Sequence, residues 1–128
     1  MDGERVELNS LTISLGADGI VRFVVKPGAH GTLVEAEAAL AAVKQLCPDR
    51  SVPVLADIRG AGSVDREART FYSSPHVAEI VAVAAMLVGS PVSRVIGSFF
   101  LGINRPAFPT KLFTDEDEAL AWLRARRI

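Results

Sequence analysis

Apolar β-formers run almost unbroken through Val52-Pro53-Val54-Leu55-Ala56 up to one carboxylate, Asp57, and polarity then switches at Arg59-Gly60. Such a run predicts a central strand buried on both faces. Pro53 is tolerable because it stands at the strand's start. Upstream, Leu11, Ile13 and Leu15 alternate with Thr12 and Ser14, the period of a half-buried strand. Asp18-Gly19 signals a hairpin, and Ile20 to Val25 is its return strand. Val21, Phe23 and Val25 share one face of it, while Arg22 on the other places the pair at or near a sheet edge. Residues 1–10 are polar apart from Val6 and Leu8, and predict a short edge strand or a frayed end. Val81 to Val88 reads as a second buried strand. Helix competes there, because a short apolar run has no telling period. The helix start at Gly89-Ser90-Pro91 immediately after it favours strand. Thr110 to Phe113 is a last short strand.

The intervening segments carry helical spacing. After the loop Lys26–Gly31, Thr32 followed by Glu35 predicts a capping box. Ala36, Leu40, Val43 and Cys47 form the inward stripe of that helix, and Pro48 ends it. Asp65 can cap a second helix whose apolar side is Val64, Ala68, Phe71 and Tyr72. Ser74-Pro75 opens a short third helix, with proline at its first position. From Pro91 to about Ile103, the residues Val92, Val95, Ile96, Phe99 and Ile103 share one face, read as core. Phe100 stands at the margin of that face and Leu101 opposite it, so these two are the expected contacts to a partner. Asn104, Arg105 and Pro106 stop the helix. Thr114 opens a final helix with acids at positions 115–118 at its positive end. Arg124, Arg126 and Arg127 sit at the negative end, as the helix dipole favours. Leu120 and Leu123, with Ala119 and Trp122, supply its inner side. The order is ββ, then α, β, α, α, β, α, β, α. It predicts one α/β domain over residues 1–128, with a mixed sheet, an N-terminal hairpin, parallel βα units and four to five helices.

Composition narrows the classes. A net charge of -1 and a pI near 6.1 argue against a nucleic-acid binder, which would carry a basic face. The single Cys47 cannot form an internal disulfide and lies on an inward stripe, where it acts as a small hydrophobe. Met1-Asp2-Gly3-Glu4-Arg5 lacks the apolar stretch of a signal peptide. The longest apolar run, Ile80 to Val88, is too short to span a bilayer. The expectation is a cytoplasmic protein without a membrane span.

The order of elements, the strand Pro53-Val54-Leu55-Ala56-Asp57-Ile58-Arg59-Gly60, and the helix entry Ser63-Val64-Asp65-Arg66-Glu67-Ala68-Arg69 together resemble the STAS domain of bacterial anti-sigma factor antagonists. Leu112 to Leu123 adds a second match. The chain more closely resembles the small SpoIIAA-like, STAS/SEC14 proteins of bacteria, many of them uncharacterised, and the likeness covers roughly residues 11–127. It implies a SpoIIAA-like fold. Phosphorylated antagonists carry Asp-Ser-Ser-Gly where the second helix begins; here Asp65-Arg66-Glu67-Ala68 stands there, without the acceptor hydroxyl. Glu67 then reads either as a fixed imitation of the phosphorylated state or as a first-turn acid suited to the helix dipole.

Ligands of open α/β sheets bind at the carboxyl ends of the strands. That rim gathers Lys26 and His30, then Asp57, Arg59 and Ser63, then Ser90, Ser93 and Arg94, with the helix starts at Asp65 and Ser90-Pro91 beside them. The plainer reading of Asp57 and Ser90 is that they satisfy loop and helix-end amides. His30 and His76 lack ligand-like neighbours, so no metal and no cofactor is expected. A Ser63, His30 and Asp57 set can be written, but a chain of this size permits many such sets. Gly60 and Gly62 lack the spacing of a dinucleotide fingerprint. The expectation is a non-enzymatic regulatory or protein-interaction domain, homodimeric, with an unknown protein partner. The alternative is a binder of a small apolar, amphipathic or anionic ligand, as the SEC14 side of the resemblance implies. It requires a roomy apolar pocket beneath the helix of Phe99 and Phe100. An enzyme ranks last.

Overall fold

In the computed structural model, which describes residues 4–126, the strands in chain order are β1 (Arg5–Glu7), β2 (Leu11–Leu15), β3 (Val21–Val25), β4 (His30–Gly31), β5 (Val52–Asp57), β6 (Ser63–Val64), β7 (Val81–Leu87) and β8 (Thr110–Phe113). The helices are α1 (Leu33–Leu46), α2 (Arg66–Tyr72), α3 (Pro75–Ala78), α4 (Pro91–Phe99) and α5 (Glu116–Arg126), and a π-helical turn, Phe100–Asn104, continues α4. Six strands form one mixed sheet in the order β1-β2-β3-β5-β7-β8. The β1–β2–β3 pairs are antiparallel and the β3–β5–β7–β8 pairs parallel. β5 is therefore central, as its apolar run predicts. The polar N-terminal segment supplies the edge strand β1; residues 1–3 and the Arg127 expected at the last helix end lie outside the described residues.

Pro53 sits where the ladder is irregular. Val52 pairs with Val81 but Pro53 with Val83, so Ala82 is skipped in a bulge. A bulge removes the need for a proline N–H, which explains how a proline fits an inner strand.

Alternation along β5 and β7 divides the interior in two. On one face Leu11, Ile13, Phe23, Val54 and Met86 pack with Leu40 and Val43 of α1, and with Val77, Phe100 and Phe108. On the other, Ile20, Leu55, Val83 and Ala85 meet Ala119, Leu120 and Leu123 of α5. Leu123 is fully buried, worth about 1.5–3 kcal/mol. Asp115 caps α5, its carboxylate accepting from the Glu118 N–H at 3.0 Å. The helix thus starts just after the expected Thr114.

Two local expectations are corrected. Thr32 does cap α1, accepting from the Glu35 N–H. Glu35 does not close the box: its carboxylate accepts from the Ser10 N–H at 2.9 Å and from the Ser10 hydroxyl. That contact ties α1 to the β1–β2 connection. The Ser10 hydroxyl also holds the Glu35 carboxyl below its ordinary range.

The second correction reverses α4. Of the expected core face only Ile96 packs inward; Val92, Val95 and Phe99, with Ile103 in the π turn, face solvent, while Ser93, Gly97 and Phe100 face inward. The cause is close approach. A methyl group on Gly97 would lie 2.9 Å from Leu112 Cδ2 and 3.3 Å from Val88 Cγ1. Only a side of the helix with small residues fits there. Phe100 is therefore core rather than an interface residue, and Leu101 is half-buried rather than presented opposite the core.

Candidate functional site

Small residues on the sheet leave a space under α2 and the π turn. An apolar cavity of about 140 Å³ lies there, with Phe23, Val54, Ala56, Ala84 and Met86 from the sheet on one side. Leu40, Tyr72 and Phe100 close the other. Burial in these apolar surroundings pushes the Tyr72 hydroxyl up, so that wall stays neutral. The lining residues that keep solvent exposure include Ala61, Ser63, Val64, Arg69 and Ile96, which marks the mouth between the β6 region, α2 and α4.

Arg69 is the one cation among the lining residues. Its Nη1 donates to the Val64 carbonyl at 3.1 Å, and its guanidinium lies 5.9 Å from the centre of the Phe99 ring. Its Nε is buried and has no acceptor. A buried donor left unpaired costs about 1–3 kcal/mol, so it is a standing demand for an acceptor.

A second constellation stands at the mouth. β4 and β6 form a two-stranded parallel sheet that pairs His30 with Ser63 and Gly31 with Val64. His30 Nδ1 lies 2.5 Å from Ser63 Oγ, and His30 Nε2 lies 2.9 Å from Asp65 Oδ1. Asp65 occupies the N-cap position of α2, yet its side chain makes no capping hydrogen bond. The carboxylate that helix chemistry would use on α2 is directed to the imidazole. The loops beneath are pressed together. Gly28 N donates to Gly60 O at 2.7 Å, and a methyl on Gly62 would meet Gly28 O at 2.7 Å.

The other rim residues group elsewhere. Asp57 accepts from the Arg59 backbone N–H and from its guanidinium at 2.8–3.1 Å. The pair is satisfied within itself, with Glu116 3.7 Å from Arg59. Ser90 and Ser93 are spent on the start of α4, where they form a reciprocal capping box, and Ser93 is fully buried. Their plainer reading is the one the contacts support. Arg94 is exposed and lines a separate groove with Lys111 and Glu118. Glu67 is exposed in the first turn of α2. Of the residues placed on the rim by sequence, His30, Ser63 and Asp65 come together. Asp57 is not with them, because it is bonded to Arg59. Arg69, which the sequence reading does not single out, lines the cavity; its one sequence signal is a basic residue on the apolar side of a short helix. Among the described residues no group of three or more His, Cys, Asp or Glu could hold a metal ion. None of the helices there is long and apolar enough to cross a membrane.

A family model described as a domain of unknown function, DUF7793, matches residues 13–127. No curated protein matches. Among solved structures, an uncharacterised protein of the DUF3478 family from Shewanella loihica PV-4, described as having a SpoIIAA-like fold, gives a TM-score of 0.54 at 13% identity. That alignment covers 94% of this chain and 91% of the other, and it bears out the expected fold. A protein of unknown function from Arthrobacter sp. FB24 is 43% identical, covering 88% of this chain and 97% of that one, with a TM-score of 0.35.

Proposed function

The chain belongs to the DUF7793 family, a domain of unknown function, and from that premise we propose that it binds a small amphipathic molecule in the cavity beneath α2 and the π turn. The observation that carries this reading is the apolar space itself, about 140 Å³, with Arg69, whose buried Nε has no partner, among its lining residues. An apolar cavity of about 150 Å³ stays dry and accepts a molecule the size of benzene. The occupant is thus compact and hydrocarbon in its body. An acceptor on it, a carboxylate or a carbonyl, satisfies Arg69. Affiliation with the STAS/SEC14 proteins belongs to the same proposal, since it would place ligand binding in the family's repertoire.

Native mass spectrometry on gently purified protein tests the reading, followed by titration with hexanoate as a probe. The expected results are a reproducible adduct released on denaturation and a rise in Tm with hexanoate. At a hundred-fold excess over Kd the stabilisation is about 2.7 kcal/mol. A bare mass together with no response to hexanoate refutes the proposal.

A second reading is favoured by a different observation. Val92, Val95, Phe99 and Ile103 make an exposed apolar stripe along α4 and the π turn, with Ile103 72% exposed. Contiguous exposed apolar surface marks contact sites. A regulatory domain that acts through protein contacts, as a homodimer or with another protein, would use this stripe rather than Phe100 and Leu101. The same mass spectra report the assembly state.

A further inference from the structure

We propose that Ser63, His30 and Asp65 form a nucleophile, base and positioning set that cleaves short-chain carboxylic esters whose acyl group occupies the cavity. The proposal rests on the ligand-binding reading above and goes beyond it, from holding an amphipathic molecule to acting on it.

The three side chains stand in line, joined by one ion-pair contact and one hydrogen bond. Asp65 Oδ1 faces His30 Nε2 at 2.9 Å, and His30 Nδ1 faces Ser63 Oγ at 2.5 Å. A carboxylate on Nε2 keeps the imidazole proton there and leaves the Nδ1 lone pair for the serine hydroxyl. The two nitrogens are exchanged relative to the usual serine hydrolase, but such sets are defined by geometry and role. Three further observations separate this path from a chance surface contact. Asp65 gives up the cap of α2 to make it. The β4–β6 pairing places His30 and Ser63 in register. Ser63 is both solvent-exposed and part of the cavity lining, so it stands where bulk solvent meets the apolar space.

The chemistry is complete with water as the only co-reactant. Ser63 Oγ bonds to the ester carbonyl carbon while its proton passes to His30 Nδ1. The carbon–oxygen bond to the alcohol then breaks, and the leaving oxygen takes that proton. Water attacks the acyl-serine, giving one proton to Nδ1. The acyl–Oγ bond breaks, Oγ recovers the proton, and the carboxylic acid departs. Ser63 and His30 are catalytic residues in this scheme, and Asp65 is a positioning residue.

A fluorophosphonate probe and a series of p-nitrophenyl esters, from acetate to dodecanoate, test it on the full chain. The expected results are covalent label on Ser63 and a rate optimum near an acyl chain of about six carbons, the size a cavity of this volume accepts. Ser63→Ala abolishes labelling and turnover. His30→Gln lowers kcat at least about 100-fold, the ordinary contribution of a general base. Asp65→Asn lowers kcat with KM unchanged, and Asp65→Glu restores part of it, a pattern that loss of a merely structural contact would not give. Circular dichroism confirms that each variant is folded. Protein that responds to hexanoate but takes no label on Ser63 and shows no turnover above buffer overturns this inference and leaves the binding reading standing. Protein that does neither overturns both.

Discussion

Filling the cavity should stabilise the fold and abolish binding. Ala84 lies in β7 opposite Val54, is 6% exposed and lines the space. A sealed apolar cavity of about 140 Å³ would forgo roughly 3 kcal/mol at about 24 cal/mol per Å³, an upper bound for a space with a mouth. That is a large share of the roughly 5–15 kcal/mol that holds a domain together. Ala84→Val adds two methyl groups, each worth about 0.8 kcal/mol when buried without strain, and a β-branched residue suits a central strand. The expected gain is about 1–2 kcal/mol, seen as a rise in Tm of about 3–8 °C. Urea unfolding of ligand-free wild type and variant gives the free energy, with an unchanged m-value showing that the comparison is clean. The same variant should lose the thermal response to hexanoate, because the added methyls occupy the ligand's space. A loss of more than about 1 kcal/mol would refute the reasoning. That is the signature of overpacking, and it would mean that the sheet and the π turn leave no usable room.

Four other outcomes follow from particular contacts. Arg22 grips Asp18 through two hydrogen bonds of 2.9 and 3.0 Å and holds its carboxyl down to about 2. A depressed carboxyl stabilises the fold above its unfolded pKa of about 3.9 and ceases to as pH falls through its folded value. With the side chain 27% exposed, screening reduces the full linkage value, so Asp18→Asn should cost about 1 kcal/mol at pH 7. Urea midpoints should converge with wild type between pH 4 and about 2; a constant gap across that window contradicts the assignment. Glu35→Gln should cost roughly 1–2 kcal/mol through the weakened Ser10 bonds, and the difference from wild type should shrink on acidification because that carboxyl is also depressed. Gly62→Ala forces a methyl against a backbone oxygen and should cost about 1–3 kcal/mol, with the His30 ring resonances shifting in NMR spectra as Ser63 moves away. Val95→Glu, at a position 58% exposed, should leave stability within about 0.5 kcal/mol yet yield monomers by native mass spectrometry; wild type that is already monomeric disposes of the homodimer.

How much of this could be read from residues depends on which physical signal each feature carries. β5 was legible because a strand covered on both faces has no polar alternation to disguise it. The β2–β3 hairpin and the burial of α5 followed from simple periodicity and a turn dipeptide. The inversion of α4 was not legible from periodicity. An apolar stripe such as Val92, Val95, Phe99 and Ile103 says which side is apolar, not which side is inside. What decided the matter was size, since Ser93 and Gly97 permit a close approach to Leu112 and Val88 that valines would forbid. The β4–β6 pairing escaped notice because two residues per strand are too short to carry any period. Asp65 stands at the N-cap position that local chemistry predicts, but its carboxylate turns to His30 instead of capping. That departure is informative, because a local rule broken without local compensation tends to mark a functional place.

A sequence selected only for stability would place the apolar residues of α4 inside and fill the space over Ala56 and Ala84. This chain does the opposite at both points. It exposes Phe99 and Ile103, and it keeps small residues where the sheet could carry larger ones. It also continues α4 into a π turn, the type of helical irregularity found most often at functional sites. The turn closes on Arg105, a non-glycine residue at φ 53°, at a cost of about 1–2 kcal/mol relative to ordinary backbone. Each departure costs stability, and they adjoin one cavity: Ala56, Ala84 and Phe100 line it with Arg69 and Ser63, Phe99 lies over the Arg69 guanidinium, and Arg105 N donates to Phe100 O. Independent accidents would be scattered over the molecule. Departures gathered around one space are what the binding proposal expects, and loss of the hexanoate response in Ala84→Val is the result that would tie them to an occupant.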